Sequence, residues 1–530
     1  MPRSRLLPAA LLLVLALMCV MILQVTAFGM LHDDGVYLVT AKSLAEGHGY
    51  RIISLPNDPV QTKYPIVLPL LLSIMWRLNP HFPENAALLK AVPVAATLGW
   101  LILCYWFVRR YGHVPVQVAL WIVFFVAVNQ WSLFNVGTLM SDTLFAALAL
   151  AAVAALIQAD KRPSMWPAVA AGLLVSAAYY TRTAGLPIAM AGVLALGARR
   201  RIRQAAVFGG VVGVAIAAWM LWQRQAVDLG SLLENYYTAK GYVAYTLFGR
   251  HFPLPVDARI FIKNLYYLAE YPAQWMFGFL VPYSFRYLFP LFGLFFWSFI
   301  LRGLWKAPSS FLPAKFLAII YSGMLVFYIW PPDRFLLPLL PLLLLFAYYA
   351  LPARTPVWVV PALALMPLFL AFSATKTTLD RHVATVPLAG WAGDPGGVEW
   401  GKIAQVQNWV RDHGPPGAVV LADYDPAFYL YSGHKSIRPY YVAGSDLFYG
   451  LHRDARRNIR ECLRVIAKYR PKYLVETGHD SLEEPTYPEM IAYLTSTGKI
   501  RLLKQIAPHY RIFEIEAPGT AQQVAHSAIR

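Results

Sequence analysis

The chain has 530 residues, of which 58% are hydrophobic and only 14% charged, against roughly 25% charged in a soluble globular protein. That deficit excludes a soluble enzyme, a disordered protein and a coiled coil. Apolar stretches recurring as far as about Thr375 also exclude a single membrane anchor, so the composition is that of a polytopic membrane protein. The formal net charge of +18 does not point to nucleic acid, because its distribution is topological. From Lys376 onward 19 basic and 16 acidic residues nearly balance, whereas the first 375 residues carry 27 and 12. The excess sits in short clusters between apolar segments: Arg3/Arg5, Arg109-Arg110, Lys161-Arg162, Arg199 to Arg203, Arg302/Lys306 and Arg354. Such clusters mark cytoplasmic loops. Three cysteines, two of them within apolar spans, say nothing about redox compartment.

A spanning helix needs about 20 mostly apolar residues. In chain order the spans are expected near Leu6–Ala27, Ala86–Val108, Val116–Phe134, Ser141–Ala159, Met165–Tyr180, Ala184–Ala198, Ala205–Gln223, Trp275–Leu301, Pro313–Trp330, Phe335–Pro352 and Val357–Ala374, about eleven in all. Arg3 and Arg5 place the N-terminus inside. The later basic clusters then also fall inside if Tyr64–Leu78, short and holding Pro65 and Pro69, is a re-entrant or interfacial helix rather than a crossing. Eleven crossings put the C-terminus outside. The acids agree: of the 12 in the membrane part, only Asp160 falls in an expected cytoplasmic loop. That asymmetry points to chemistry on the outer face.

Two outer loops are long, 29–85 and 224–274, and loops of this length are usually functional. The first holds an expected amphipathic helix around Val36–Ala45, stopped by Gly47 and Gly49. The second, rich in Tyr and Phe, is expected to lie on the membrane surface. The transmembrane domain is expected over 1–375. From 376 to 530 the composition becomes ordinary. Trp400–Asp412 and Asp454–Lys468 read as helices, Ala418–Ala422 and Tyr473–Val475 as strands, and Ile500–Gln505 with Tyr510–Ile515 as a closing hairpin. Alternating helix and strand predicts a small extracytoplasmic α/β domain.

Four outer-face constellations are candidates for chemistry. Asp33-Asp34 follows the first span and offers a catalytic carboxylate with an adjacent helper, the arrangement of a general base; the plain alternative is a solvated pair at a helix end. Ser141-Asp142 opens the fourth span, where the same residues also suit an N-cap. Lys63 precedes Tyr64-Pro65 and suits a phosphate, or snorkels to the headgroups. Arg182 and Arg334 stand at outer helix ends against the inside bias of basic residues. Each needs an anionic partner, an anionic lipid-linked phosphate or, for Arg334, the neighbouring Asp333. His32, His48, His81 and His251 are outer-face histidines that could join Asp33 and Asp34 around a divalent ion, at a spacing that is not diagnostic. Walker A, HExxH and paired CxxC motifs are absent from the sequence.

Taken in order, these segments resemble the C-type membrane glycosyltransferases, closest to the bacterial branch of the aminoarabinose transferases, the protein O-mannosyltransferases and the RgtA/B/C/D-like sugar transferases. His32-Asp33-Asp34-Gly35-Val36-Tyr37, with Ala41, Leu44-Ala45 and Gly47-His48-Gly49-Tyr50, resembles the family's first outer loop. Thr62-Lys63-Tyr64-Pro65-Ile66-Val67-Leu68-Pro69-Leu70 resembles its Lys/Tyr-Pro-Pro-Leu segment. Ser141-Asp142-Thr143-Leu144-Phe145 is similar to its fourth-helix start, and Thr181-Arg182 and Arg334-Phe335-Leu336-Leu337-Pro338 to Pro341 also fit. The resemblance covers most of the chain. Asp34 stands where the family often has Glu, and Ile66 where it has a second proline; the exact subfamily is not fixed.

The resemblance implies a sugar transferred from a polyprenyl-phosphate carrier to an acceptor hydroxyl of a lipid, glycan or protein. Transfer would occur on the outer face of the cytoplasmic membrane, with inversion. Asp33 would be the base, Asp34 its support by hydrogen bonding or through a metal, and Asp142 would orient acceptor or base. Lys63, Arg334 and Arg182 would bind the donor phosphate. No cofactor is required, and a divalent metal stays open. A transporter, or an envelope-assembly protein that binds polyprenyl lipid without transferring sugar, are the alternatives. Transporters place ionisable groups near mid-membrane, often with inverted repeats, whereas here the acids crowd the outer edge.

Overall fold

The computed structural model describes residues 28–29, 32–238, 258–277, 287–352, 400–441, 449, 454–478 and 486–516. The expected spans Leu6–Ala27 and Val357–Ala374, His251 and the proposed domain boundary at 375/376 lie outside these residues. Helices occupy the other nine expected segments. Those central to the argument are α1 (Asp33–Ala45), α2 (Val67–Leu78), α3 (Ala86–Arg110), α4 (Val116–Val128), α5 (Gln130–Gly137), α6 (Asp142–Lys161), α7 (Trp166–Tyr179), α8 (Leu186–Ala198), α9 (Ile202–Gln223), α10 (Leu232–Thr238), α11 (Ala258–Phe277), α12 (Phe289–Lys306), α13 (Leu312–Val326) and α14 (Leu340–Ala350). Among the described residues four helical stretches are long and apolar enough to cross a membrane: α3, α6, α9 and Ser309–Val326. Leu98, Ile102 and Trp106 on α3, and Val214 and Met220 on α9, are exposed, as outward faces toward lipid should be.

Two expectations are corrected. Val116–Phe134 is not one span: α4 ends at Val128, and Asn129 restarts the chain as α5, its side chain accepting from the Trp131 amide, a capping bond that competes with helix continuation. Trp275–Leu301 takes in the end of one described helix and most of another, with 278–286 outside the described residues. Helix α11 already runs through Trp275, and α12 begins at Phe289 with Pro290 in its first turn, where proline is tolerated. The helix over Val36–Ala45 is not a surface amphipath. Nine of the 13 residues of α1 are buried, Asp34 included, because the first outer loop is covered by other elements. Helix α2, by contrast, exposes Leu70, Ile74 and Leu78 along one side, the periodicity of an interfacial helix.

The apolar bundle is close-packed. A Cβ on Gly303 of α12 would fall onto the carbonyl oxygen of Phe346 on α14, so these two helices meet backbone to backbone, which small residues permit in membranes.

The tail is an α/β unit of α15 (Trp400–His413), β1 (Val420–Ala422), α16 (Asp425–Ser432), β2 (Ser436–Ile437), α17 (Ala455–Tyr469), β3 (Tyr473–Thr477), α18 (Tyr487–Ser496), β4 (Ile500–Ala507) and β5 (Tyr510–Ile515). Its sheet has the order β2-β1-β3-β5-β4. Strands β2, β1 and β3 are parallel, and the β4–β5 hairpin joins β3 antiparallel. Strands β1 and β3 are buried at every residue, as central parallel strands are. The unit does not stand apart. One continuous core joins Val36, Leu38, Leu68 and Trp76 of the outer loop to Leu421, Ile437, Cys462 and Phe513 of the tail.

Candidate active site

Asp33 and Asp34 open α1, where carboxylates suit the helix dipole. Their surroundings differ. Asp33 is half-buried, and Tyr64 donates its hydroxyl to Asp33 Oδ1 at 2.6 Å. Asp34 is fully buried and turned to the backbone, accepting from Gly29 N at 2.7 Å and Gly35 N at 2.9 Å. Asp33 is therefore the carboxylate that keeps an open side, and Asp34 shapes the turn that presents it.

Lys63 lies beside Asp33, within its field. It does not snorkel: it is buried, donates from Nζ to the Tyr236 carbonyl at 2.9 Å, and sits 3.6 Å from the centre of the Tyr236 ring. Burial pushes its ammonium down to about 7, with Arg438 acting in the same sense and Asp33 opposing.

A second group gathers across Tyr37. Asp142, at the first turn of α6, holds Arg182 Nη1 at 3.1 Å and Arg334 Nε at 3.7 Å on the same oxygen, Oδ1. Its other oxygen, Oδ2, is buried and without a hydrogen-bond partner among the described residues. Both guanidiniums lie over the Phe335 ring, at 5.1 and 4.8 Å. Two cations on one carboxylate leave one positive charge in excess. Ser141 does not cap α6; its hydroxyl takes Arg182 Nη1 at 3.2 Å and meets the Tyr37 hydroxyl at 3.3 Å. Arg334 is not held by the side chain of Asp333, which accepts from the Arg334 backbone amide at 2.6 Å instead. Burial raises the Asp333 carboxyl to about 6, against its hydrogen bond and the charge of Arg334.

The two groups share a boundary. The Tyr37 ring meets the Tyr64 ring edge-on at 5.5 Å. Burial pushes the Tyr37 phenol up, and it lies in the field of Asp33, Arg182 and Asp142 together. Half-buried Tyr328 feels the same two aspartates and both arginines. The structure thus brings Asp33 and Lys63 to one side, and Asp142, Arg182 and Arg334 to the other, and sets Asp34 apart. Tyr37, Tyr64 and Phe335 stand in the resembling segments without a role of their own, and Tyr328 outside them; in a chain that is 14% aromatic, single rings carry little signal.

Among the described residues the histidines do not assemble a metal site with the acids. His32 Nε2 turns to Tyr237 and Asp425, exposed His48 lies 3.8 Å from Glu46, and exposed His81 lies by Asn79. Among the described residues no three His, Cys, Asp or Glu side chains converge as ligands.

The sequence matches no family model and no curated protein sequence; the likeness is carried by structure. ArnT from Cupriavidus metallidurans bound to undecaprenyl phosphate superposes with a TM-score of 0.59 at 12% identity, over 96% of this chain and 98% of that one. Its apo state gives 0.56 at 12% identity, over 96% and 97%. The archaeal oligosaccharyltransferase AglB from Archaeoglobus fulgidus, in complex with an inhibitory peptide and a dolichol-phosphate, gives 0.53 at 12% identity over 98% of this chain and 75% of that one. At such identity the likeness is one of fold: this chain folds as these two solved proteins do.

Proposed function

We propose that the chain is an integral-membrane glycosyltransferase that moves a sugar from a polyprenyl-phosphate carrier to an acceptor hydroxyl. It would work on the outer face of the cytoplasmic membrane, with the N-terminus inside and the tail unit, 376–530, outside. The observation that carries the reading is the opposition of a half-open carboxylate, Asp33, to a half-buried cationic cluster of excess positive charge, Arg182 and Arg334 on Asp142. The neighbours solved with undecaprenyl phosphate and dolichol-phosphate support the lipid carrier.

In this reading the acceptor hydroxyl gives its proton to Asp33 as its oxygen attacks the anomeric carbon. The bond from that carbon to the phosphate oxygen breaks on the opposite face, which inverts the centre. The lipid phosphate leaves with the electron pair. A general base is worth typically about 10²–10⁴-fold. The departing anion needs fixed cations where its charge develops, which Arg182, Arg334 and Lys63 supply. Asp142 holds the two arginines in place and offers Oδ2 to a substrate hydroxyl. Asp34 supports Asp33 through the backbone turn, and these steps call on no bound cofactor.

The test is transfer from a panel of polyprenyl-phosphate sugars to endogenous acceptors, in membranes carrying wild type or Asp33→Asn. Transfer from one donor by wild type alone establishes donor and base. Full activity in Asp33→Asn removes Asp33 as the base.

A further inference from the structure

His32, the residue before the base, has φ 62°, a left-handed conformation uncommon for a residue with a Cβ. Its ring is buried, with Nε2 2.7 Å from the Tyr237 hydroxyl and 3.0 Å from Asp425 Oδ1. Tyr237 also donates to Asp425 Oδ2. With the ring proton assigned to Nε2, both Asp425 oxygens are satisfied, one by each partner. The His32 ring stacks on Tyr237 and meets Tyr236 edge-on, centroids 5.3 and 5.4 Å apart.

Asp425 belongs to the tail. It opens α16, fully buried, directly after Tyr424 at φ 49°. Two uncommon backbone conformations thus face each other across the junction, and such conformations persist only where surroundings over-determine them. The fit is tight. A Cβ on Gly29 would fall onto Ala427, and one on Gly35 would come within 3.1 Å of the Pro426 Cβ. The same α10 segment that supplies Tyr237 supplies the Tyr236 carbonyl to Lys63.

We propose that Asp425 is a positioning residue of the transfer site: acting through His32 and Tyr237, it fixes the left-handed joint from which Asp33 projects, so that the tail unit completes the site rather than covering it. This rests on the glycosyltransferase reading. Asp425 touches no reacting atom in it; its part is to set the angle of the base. A misplacement of about 1 Å can cost about 10²-fold in rate.

The experiment uses the full chain in lipid nanodiscs, with Asp425→Asn and, independently, Tyr237→Phe. Three quantities are read: kcat and KM over the donor panel, binding of undecaprenyl phosphate, and hydrogen exchange of peptides covering 28–45. Both variants are expected to lower kcat by about 10²-fold with KM and undecaprenyl-phosphate binding unchanged, and to speed exchange in 28–45 but not in α6 or α13. Asp425→Glu should recover part of the rate. Unchanged kcat and unchanged exchange in both variants overturn the proposal. Loss of binding with faster exchange throughout also overturns it, because Asp425 is then a general structural contact. If wild type transfers from no donor, the glycosyltransferase reading fails, and the exchange comparison alone still decides whether Asp425 fixes the joint.

Discussion

Tyr64 and Asp33, 31 residues apart in the chain, are joined by a 2.6 Å hydrogen bond in which the phenol donates to carboxylate oxygen Oδ1. The bond leaves the other oxygen to take a proton from substrate. A hydrogen bond to a charged group is worth about 1.5–3 kcal/mol, so Tyr64→Phe should lower kcat by roughly 10–10²-fold. Undecaprenyl-phosphate binding should stay unchanged, because the phenol touches the base and not the cationic cluster. Steady-state kinetics beside a binding titration checks both halves.

The cationic cluster predicts an order of stabilities. Removing one arginine leaves Asp142 paired with the other, so the loss should fall below the about 3–5 kcal/mol of a buried charge left unpaired. Arg182, at 3.1 Å from Asp142 and also bound to Ser141, should matter more than Arg334 at 3.7 Å. Denaturant titration of Arg182→Met and Arg334→Met in detergent should rank them so. In a double-mutant cycle Asp142→Asn should cost less in Arg182→Met, where it strands one arginine, than in wild type, where it leaves two like charges facing each other. Independent, additive effects would show that the pair is not coupled.

Lys63 predicts a pH dependence. Burial lowers its ammonium to about 7, so in the empty site it is mostly charged at pH 6 and mostly neutral at pH 8. If bound phosphate keeps it charged, the association constant follows the charged fraction and should fall about tenfold between those pH values. Undecaprenyl phosphate gains negative charge over the same range, its second ionisation lying near 6. The fall is therefore read as the difference between wild type and Lys63→Met. The stability sign is the reverse: the unfolded lysine binds more protons between about 7 and 10.4, so the lysine's burial cost is complete below 7 and relieved as pH rises. Lys63→Met should then raise the unfolding midpoint most at pH 6 and progressively less toward pH 10.

Helix packing gives a contrast of two glycines. Gly303→Ala drives a Cβ into the Phe346 carbonyl and should destabilise by about 3 kcal/mol or more. Gly99→Ala, with nothing within 4 Å of the new Cβ, should be neutral or stabilise by up to about 1 kcal/mol. Thermal unfolding of the two variants in one detergent checks the pair.

Much of this architecture is legible in the sequence. Apolar length marks the bundle, and alternation in the tail marks β1, β3 and the β4–β5 hairpin, which the sheet contains. Asp33, Lys63, Asp142, Arg182 and Arg334 stand out because charges at outer helix ends are costly and therefore conspicuous. The interruption at Asn129 is hidden, because a single capping side chain does not alter a hydropathy window. So is α16, only eight residues long, with the buried Asp425 at its start: nothing in Tyr424-Asp425-Pro426 distinguishes a residue that crosses to His32 from an ordinary helix start. The different surroundings of Asp33 and Asp34 are hidden for a related reason, since two adjacent acids look equivalent until the backbone shows which one it folds around.

The edge of the tail's sheet has a practical side. Ser436 of β2 donates its backbone amide to the Ser54 carbonyl of the first outer loop at 2.9 Å, and the apolar face behind that strand is packed with side chains from the same loop. Cut free as a recombinant fragment, residues 400–516 would carry an open strand edge and a bare greasy surface, the combination that seeds clumping. Antibodies, binders and screening reagents for this region are therefore better raised against the whole protein in lipid than against an excised tail.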